Sequence, residues 1–259
     1  MTSMVAERFA WRSAPGLTLL IAVAWGLAIG SELTGGVRWV HHHQLTVDGL
    51  AVWASLVLFL VAWQVHIAAM MLPSTLPLIG LFHQASAGQR HPGLARLGFL
   101  GGYLVVWTAF GIVAVVGDAL LDRAAVHGGM LRPEWMAGAV LLLAGAFQFS
   151  SLKKRCLDKC RQPRAFLLNH YRRGMLGGLA LGARHGAFCV GCCWALMQVM
   201  FLVGIANLAW MAPLAALMLY EKVGHHGERI ARIAGVALIL LGGVVMVGPA
   251  WLPSLVPTH

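Results

Sequence analysis

Five cysteines, all between residues 156 and 193, are the side chains of this sequence best suited to metal or redox chemistry. Cys189, Cys192 and Cys193 follow one another at helical spacing, and His185 lies one helical turn before Cys189. At about 100° per residue, these four positions share one face of a helix. Thiolate and imidazole are ligands of soft cations, so this face predicts a Cu(I) site, with Zn(II) or Hg(II) as other possible occupants.

A stripe of glycines overlaps the cysteine face and allows a simpler interpretation. Glycine recurs at every fourth residue from Gly174 to Gly186, which is the small-residue pattern that lets two membrane helices approach closely. The thiols are therefore expected to face a packed neighbour rather than lipid. Cysteine also packs as a small apolar residue, so inert packing stays open beside metal binding.

Cys156 and Cys160 form a second thiol pair, one helical turn apart in a strongly basic segment. Surrounding positive charge favours the thiolate, which suits capture or exchange of a metal. A polybasic segment that contacts anionic lipid, with two idle thiols, is the alternative.

The second apolar segment carries an imidazole and two thioethers beside a proline. His66, Met70 and Met71 precede Pro73, where a helix must kink or stop and release backbone carbonyls. Imidazole and thioether again suit Cu(I), although a His and Met pair is also common in packing. Both this end and Cys189 are predicted to point toward the cytoplasm and to meet at similar depth.

The remaining histidines and the Glu221-Lys222 pair are predicted to be less informative. The run of His41 to His43 lies in the first outer loop and is expected to be solvated, as are His225 and His226 on the inner side. Glu221 and Lys222 are expected to mark the end of a helix at the membrane interface.

Composition predicts what must position these residues. Hydrophobic residues make up 59% of the chain and charged residues only 11%, whereas about a quarter of a soluble domain is charged. Long apolar runs without strand alternation predict an all-α, polytopic transmembrane bundle that forms a single domain over 1–259. A net charge of +10 would suggest nucleic acid for a soluble protein, but here it sits in loops, so no nucleic acid is expected.

About seven spans are predicted, each near the twenty residues that a bilayer requires. The ranges are 14–33, 49–72, 94–120, 134–151, 175–204, 206–221 and 230–250. The stretch 49–82 is too long for one straight span, and one kinked span with a cytoplasmic extension is preferred over two.

Basic residues predict the orientation, because they favour the cytoplasmic side. Most of the nineteen Lys and Arg fall in alternate loops, above all in a basic loop over 152–173. The N-terminus is therefore predicted inside and the C-terminus outside.

Four motifs, taken in order, resemble a bacterial family of predicted metal-binding integral membrane proteins that is classed under a domain of unknown function. The similarity covers roughly 55–235. Its motifs are Ala69-Met-Met-Leu-Pro-Ser74, Gln148-Phe-Ser-Ser-Leu-Lys153, Gly186-Ala-Phe-Cys-Val-Gly-Cys-Cys-Trp-Ala-Leu-Met197, and Asn207-Leu-Ala-Trp-Met211 before Glu221-Lys222.

The resemblance implies a multi-pass protein of the bacterial inner membrane without an established activity. It implies metal ligands at Met70, Met71, Cys156, Cys160, Cys189, Cys192 and Cys193. The sequence departs from the family pattern at His66, where Met is expected, and at Ser151, where Pro is expected.

Three functions follow as hypotheses. The first is Cu(I) transport, storage or delivery, with the bilayer and a soluble metallochaperone as partners and no enzymatic turnover required. The second is a thiol–disulfide relay through Cys192 and Cys193 or through Cys156 and Cys160. The third is b-type haem bound by His66 and His185.

Overall fold

The computed structural model describes residues 15–34, 52–128, 133–203 and 207–248. Ten helices and no strand lie in these ranges, which confirms the all-α prediction for the described part of the chain. In chain order the helices are α1 Pro15–Leu33, α2 Val52–Met70, α3 Leu72–Ser86, α4 Pro92–Gly128, α5 Pro133–Phe147, α6 Ser151–Arg161, α7 Pro163–His170, α8 Gly174–Val203, α9 Leu208–Val223 and α10 Gly227–Val247.

The segment 152–173, predicted as a basic loop, is largely helical. Ser150 caps α6, because its hydroxyl accepts a hydrogen bond from the Lys153 amide at 3.1 Å. Pro163 then begins α7, at a position where its missing amide hydrogen is not needed. The many charged residues lower the hydropathy of this segment, so the hydropathy pattern did not indicate these helices.

The stretch 49–82 is two helices with a break at Met71. Of the two, α2 is long and apolar enough to cross a membrane, whereas α3 has only 15 residues. Pro73 explains the break, because it cannot donate to the carbonyl one turn earlier. That carbonyl, on Ala69, instead accepts from the Trp25 indole at 3.1 Å.

The parallel helices α4 and α8 form the centre of the fold. Gly98 and Gly102 of α4 lie against the backbone of α8, and Gly178 and Gly182 of α8 lie against the backbone of α4. A Cβ atom at any of these glycines would collide with a carbonyl oxygen of the other helix. The predicted small-residue stripe is therefore confirmed at Gly178 and Gly182.

The stripe does not extend to Gly174. This residue has no neighbour within 4 Å and begins α8 with a φ of 82°, a left-handed conformation that glycine adopts readily.

Contacts between distant segments show which helix ends share a side of the bundle. The Tyr171 hydroxyl donates to the Ala85 carbonyl at 2.7 Å, and the Gly174 amide donates to Gln89 at 2.8 Å, so the segment after α3 adjoins the segment before α8. On the opposite side, the Leu208 amide at the start of α9 donates to Glu32 at the end of α1 at 2.9 Å.

Five helices in the described ranges are long and apolar enough to cross a membrane: α1, α2, the first part of α4, α8 and α10. A sixth is counted if α5 and α6, which meet at a bend of 61°, form one broken span. The helices α5 and α9 have 15 and 16 residues, or about 22 and 24 Å by helical rise, shorter than the roughly 30 Å of a hydrocarbon core. Seven spans and their orientation stay a prediction.

Candidate metal centre

The thiols of α8 lie in the protein interior, as the glycine stripe predicted. Cys189, Cys192 and Cys193 are each at most 1% exposed. The Cys192 and Cys193 thiols donate to the Cys189 carbonyl at 3.1 and 2.8 Å, which holds both side chains back along the helix. All five cysteines of the chain are free thiols.

Met71 brings the break between α2 and α3 to this face. The Cys193 thiol lies 3.7 Å from the Met71 Sδ atom, so a thioether and a thiol 122 residues apart are in contact. This contact brings the two predicted ligand groups together, while their depth in a membrane stays a prediction. Met70 is buried in the core next to Met71, but the contacts to the thiols and to α9 are made by Met71.

Lys222 of α9 enters the same cluster. Its ammonium donates to the Cys189 Sγ atom at 2.9 Å, to the Ser74 hydroxyl at 3.2 Å and to the Met71 Sδ atom at 3.8 Å. Lys222 is 6% exposed and Glu221 is 2% exposed. The pair lies in the last turn of α9, as expected, and both side chains turn inward to buried partners. The place of this helix end relative to the membrane interface stays a prediction.

Tyr103 of α4 completes the surroundings of Cys189. Its hydroxyl lies 3.4 Å from the Cys189 Sγ atom and accepts from the Thr75 hydroxyl, also at 3.4 Å. Since Thr75 belongs to α3, this short chain of polar groups links α3, α4 and α8 at the cluster. Cys189 is thus the thiol with the most polar neighbours.

Cys156 and Cys160 of α6 face α8 rather than the basic surface. The Cys156 Sγ atom packs so closely on Gly191 that a Cβ there would lie 2.7 Å away. The Cys160 thiol forms a hydrogen bond with Cys192, and this bond together with burial raises the pKa of Cys160. Burial likewise raises the pKa of Cys156. The expectation that basic neighbours favour these thiolates is therefore wrong.

The two candidate histidines lie among aromatic rings. His185 stacks on Phe99 and Tyr103 at centroid distances of 6.4 and 6.0 Å, and its buried Nδ1 atom has no hydrogen-bond partner in the described part of the chain. His66 stacks on Trp63 at 5.8 Å. The two imidazoles thus stack on different aromatic residues, and haem ligation by this pair stays a prediction.

The run of His41 to His43 lies outside the described residues. His225 and His226 lie in the turn between α9 and α10. Met197 and Met200, which follow the cysteines on α8, are fully buried.

Within the described ranges, no three His, Cys, Asp or Glu side chains are placed together as a metal-binding group. What the structure brings together is sulfur of two kinds: the thiols of Cys189 and Cys193 and the thioether of Met71, with the Lys222 ammonium among them. Two thiols and a thioether favour a soft cation that needs few ligands. They suit a hard cation less well, and they are too few for the four ligands of a structural zinc site.

Lys222 and Tyr103 are the site residues that sequence reasoning missed. A lysine in the last turn of an otherwise apolar helix was the available signal for Lys222, because charge within a membrane is costly and usually serves a site. Tyr103 carried no such signal, since its place opposite Cys189 depends on the packing of α4 on α8.

Comparison with known protein families gives a match over most of the chain. Residues 60–257 match the family model PpoB2, which is described as a copper chaperone. No curated protein and no solved structure matches the chain. The match concerns copper and agrees with the metal-binding character of the family resemblance, while the membrane character rests on the helices themselves.

Proposed function

This chain belongs to the PpoB2 copper chaperone family, and on that premise we propose that it binds Cu(I) within a membrane-embedded helix bundle and hands it on. The contact of the Cys193 thiol with the Met71 thioether at 3.7 Å carries the proposal. It joins two segments that each supply soft ligands, and it does so in the buried centre of the fold.

Cys189, Cys193 and Met71 are the inner ligands in this proposal. Each of these three side chains is at most 1% exposed, and both Cys189 and Met71 contact Lys222. Thiolate and thioether sulfur select Cu(I) among the metals that a cell offers. Hg(II) shares this preference for sulfur, and Zn(II) requires a fuller set of ligands. His185, with its buried unpartnered Nδ1 atom, is a further ligand one helical turn away.

Cys160 and Cys156 give the metal a route inward. Cys160 is partly exposed, and its thiol forms a hydrogen bond with Cys192, which is 1% exposed. Cys156 packs on the same turn of α8, at Gly191. Adjacent thiols allow a soft cation to pass by ligand exchange without becoming free. A soluble metallochaperone that docks on α6 is the proposed donor or acceptor.

The outer surface of the bundle supports insertion in a bilayer. Large apolar side chains are exposed along the candidate spans, as at Leu19, Val61, Val105 and Leu240, each more than half exposed. An apolar surface this extensive needs lipid or a partner to cover it.

The contacts at the two ends of the bundle support seven crossings. The chain leaves the Ala85 end through α4 and is back at that end at Tyr171, which supports a crossing by α5 in between. Likewise α9 starts beside Glu32 and ends beside Met71 and Ser74, which supports a further crossing. With α6 and its basic residues inside, the N-terminus is cytoplasmic and the C-terminus external in the inner membrane.

Metal analysis of the purified protein tests the proposal. The protein is expressed with copper, purified anaerobically in detergent and analysed for copper, zinc and mercury per chain. A variant with Cys189, Cys192 and Cys193 all replaced by Ser is prepared in parallel. We expect copper in the wild type and its loss from the triple variant, because Ser oxygen is a poor ligand for Cu(I).

The matched control is the double variant Cys156→Ser/Cys160→Ser, which we expect to hold copper once loaded but to take it up more slowly from a soluble donor. Unchanged copper in the triple Ser variant contradicts the proposal. Stoichiometric zinc or mercury in place of copper assigns the site to that metal instead.

A further inference from the structure

Lys222 already places a positive charge at the sulfur cluster. Its ammonium nitrogen lies 2.9 Å from the Cys189 Sγ atom and 3.8 Å from the Met71 Sδ atom, and its third contact is the neutral hydroxyl of Ser74 at 3.2 Å. Any cation bound by these two sulfurs therefore lies next to the ammonium.

No carboxylate balances this charge in the described part of the chain. The adjacent Glu221 turns to Lys153, which it binds at 2.7 Å. The other described ion pairs, Lys154 with Glu228 and Arg232 with Glu228, are exposed. Lys153 and Glu221 compensate each other, so the net fixed charge beside the sulfurs is that of Lys222.

We infer that Lys222 determines the charge selectivity of the site and excludes divalent cations in favour of monovalent ones. The inference rests on the proposed binding of Cu(I) by Cys189, Cys193 and Met71. A fixed positive charge repels a bound cation in proportion to the charge of that cation, and burial weakens the screening. Zn(II) therefore meets twice the repulsion that Cu(I) meets at the same position.

The comparison of two metals isolates this effect from the others that Lys222 exerts. An ammonium beside Cys189 also stabilises the thiolate, and it contributes to packing between α9 and α8. Both effects act before any metal is bound, so they change the affinity for Cu(I) and Zn(II) alike and cancel in the ratio of the two affinities.

The experiment measures the dissociation constants of Cu(I) and Zn(II), each by competition with a chelator, for the wild type, Lys222→Leu and Lys222→Arg. Leu is apolar and neutral and adds no ligand atom, whereas a Met at this position would add a thioether that binds Cu(I), and Arg keeps the charge. We expect the affinity for Zn(II) relative to Cu(I) to rise at least about tenfold in Lys222→Leu, from repulsion at these distances, and to stay at the wild-type ratio in Lys222→Arg.

A ratio in Lys222→Leu that equals or falls below the wild-type ratio overturns the inference, even if both proteins bind copper. A wild type that binds no Cu(I) overturns the proposed function, and the inference with it. If Lys222→Leu does not elute as a folded species in size-exclusion chromatography, Lys222→Ala supplies a smaller neutral side chain without a ligand atom, and the same criterion of about tenfold applies to it.

Discussion

The Lys153 ammonium and the Glu221 carboxylate form an ion pair at 2.7 Å with side chains only 2% and 3% exposed. It ties α6, which carries two of the thiols, to α9, which carries Lys222. Arg161 of α6 reinforces the connection by donating to the Glu221 carbonyl at 2.9 Å. The position of Lys222 therefore depends on a helix that the hydropathy pattern did not predict.

Breaking this ion pair on one side destabilises the fold. In Glu221→Gln the Lys153 ammonium loses its counter-charge in a buried place, which costs about 3–5 kcal/mol. Replacing both residues, as in Lys153→Met/Glu221→Leu, removes both charges together and returns most of that stability. Thermal unfolding in detergent measures both variants. A double variant no more stable than Glu221→Gln would contradict this account.

Met71 and Met70 are expected to differ as ligands although they are neighbours. Met71→Leu keeps the volume and removes the Sδ atom that contacts Cys193, so the affinity for Cu(I) falls, by about tenfold for the loss of roughly 1.4 kcal/mol. Met70→Leu is the matched control and leaves the affinity unchanged. Competition titration with a Cu(I) chelator gives both values, and the opposite order would assign the thioether ligand to Met70.

The close crossing of α4 and α8 predicts a steep response to one methyl group. In Gly182→Ala the new Cβ meets the Phe99 carbonyl, and the two helices must separate at a loss of about 1–3 kcal/mol or more. Gly101→Ala in α4 is the control, because no atom lies within 4 Å of its Cβ position. Thermal unfolding compares the two. Equal stability of both variants would refute the tight crossing.

Alkylation of Cys160 is expected to depend on pH and on Cys192. Only the thiolate reacts, and the bond to Cys192 together with burial raises the Cys160 pKa. In a Cys156→Ser background, alkylation is therefore slow at neutral pH and accelerates as the pH rises. Adding Cys192→Ala removes that bond, lowers the pKa and speeds the reaction at neutral pH. Mass spectrometry follows the labelled fraction, and no difference between the two proteins would contradict the assignment.

Reporter fusions test the orientation. A cytoplasmic reporter fused after Gly88 or Gln162 is expected to be active, and a periplasmic reporter after Thr34 or Asn207 likewise, because Tyr171 contacts Ala85 at one end and Leu208 contacts Glu32 at the other. Opposite activities at Gly88 and Gln162 would mean that α5 does not cross the membrane.

Local pattern predicted the parts of the site that lie within one helix. The shared face of Cys189, Cys192 and Cys193 follows from helical spacing, and the helix break follows from Pro73, so both were readable from sequence. The contact of Met71 with Cys193 could also be predicted, because that prediction required only the directions in which the two helices run.

Other parts of the site depend on which helices lie side by side, and sequence gives little of that. Cys156 and Cys160 looked like surface thiols because their neighbours in sequence are basic, yet α6 turns both toward α8. Lys222 looked interfacial because it ends α9, yet its partners lie on α3 and α8 and at Met71, far away in the chain.

The order of these partners along the chain bears on how the protein is assembled during synthesis. Lys153, Arg161 and Cys189, which receive the charged end of α9, are all translated before α9 emerges. The costly charges of Glu221 and Lys222 thus enter a bundle where their partners are already in place. A nascent chain stopped before α9 would instead hold Lys153 without the Glu221 carboxylate, so the arrival of α9 completes this buried ion pair.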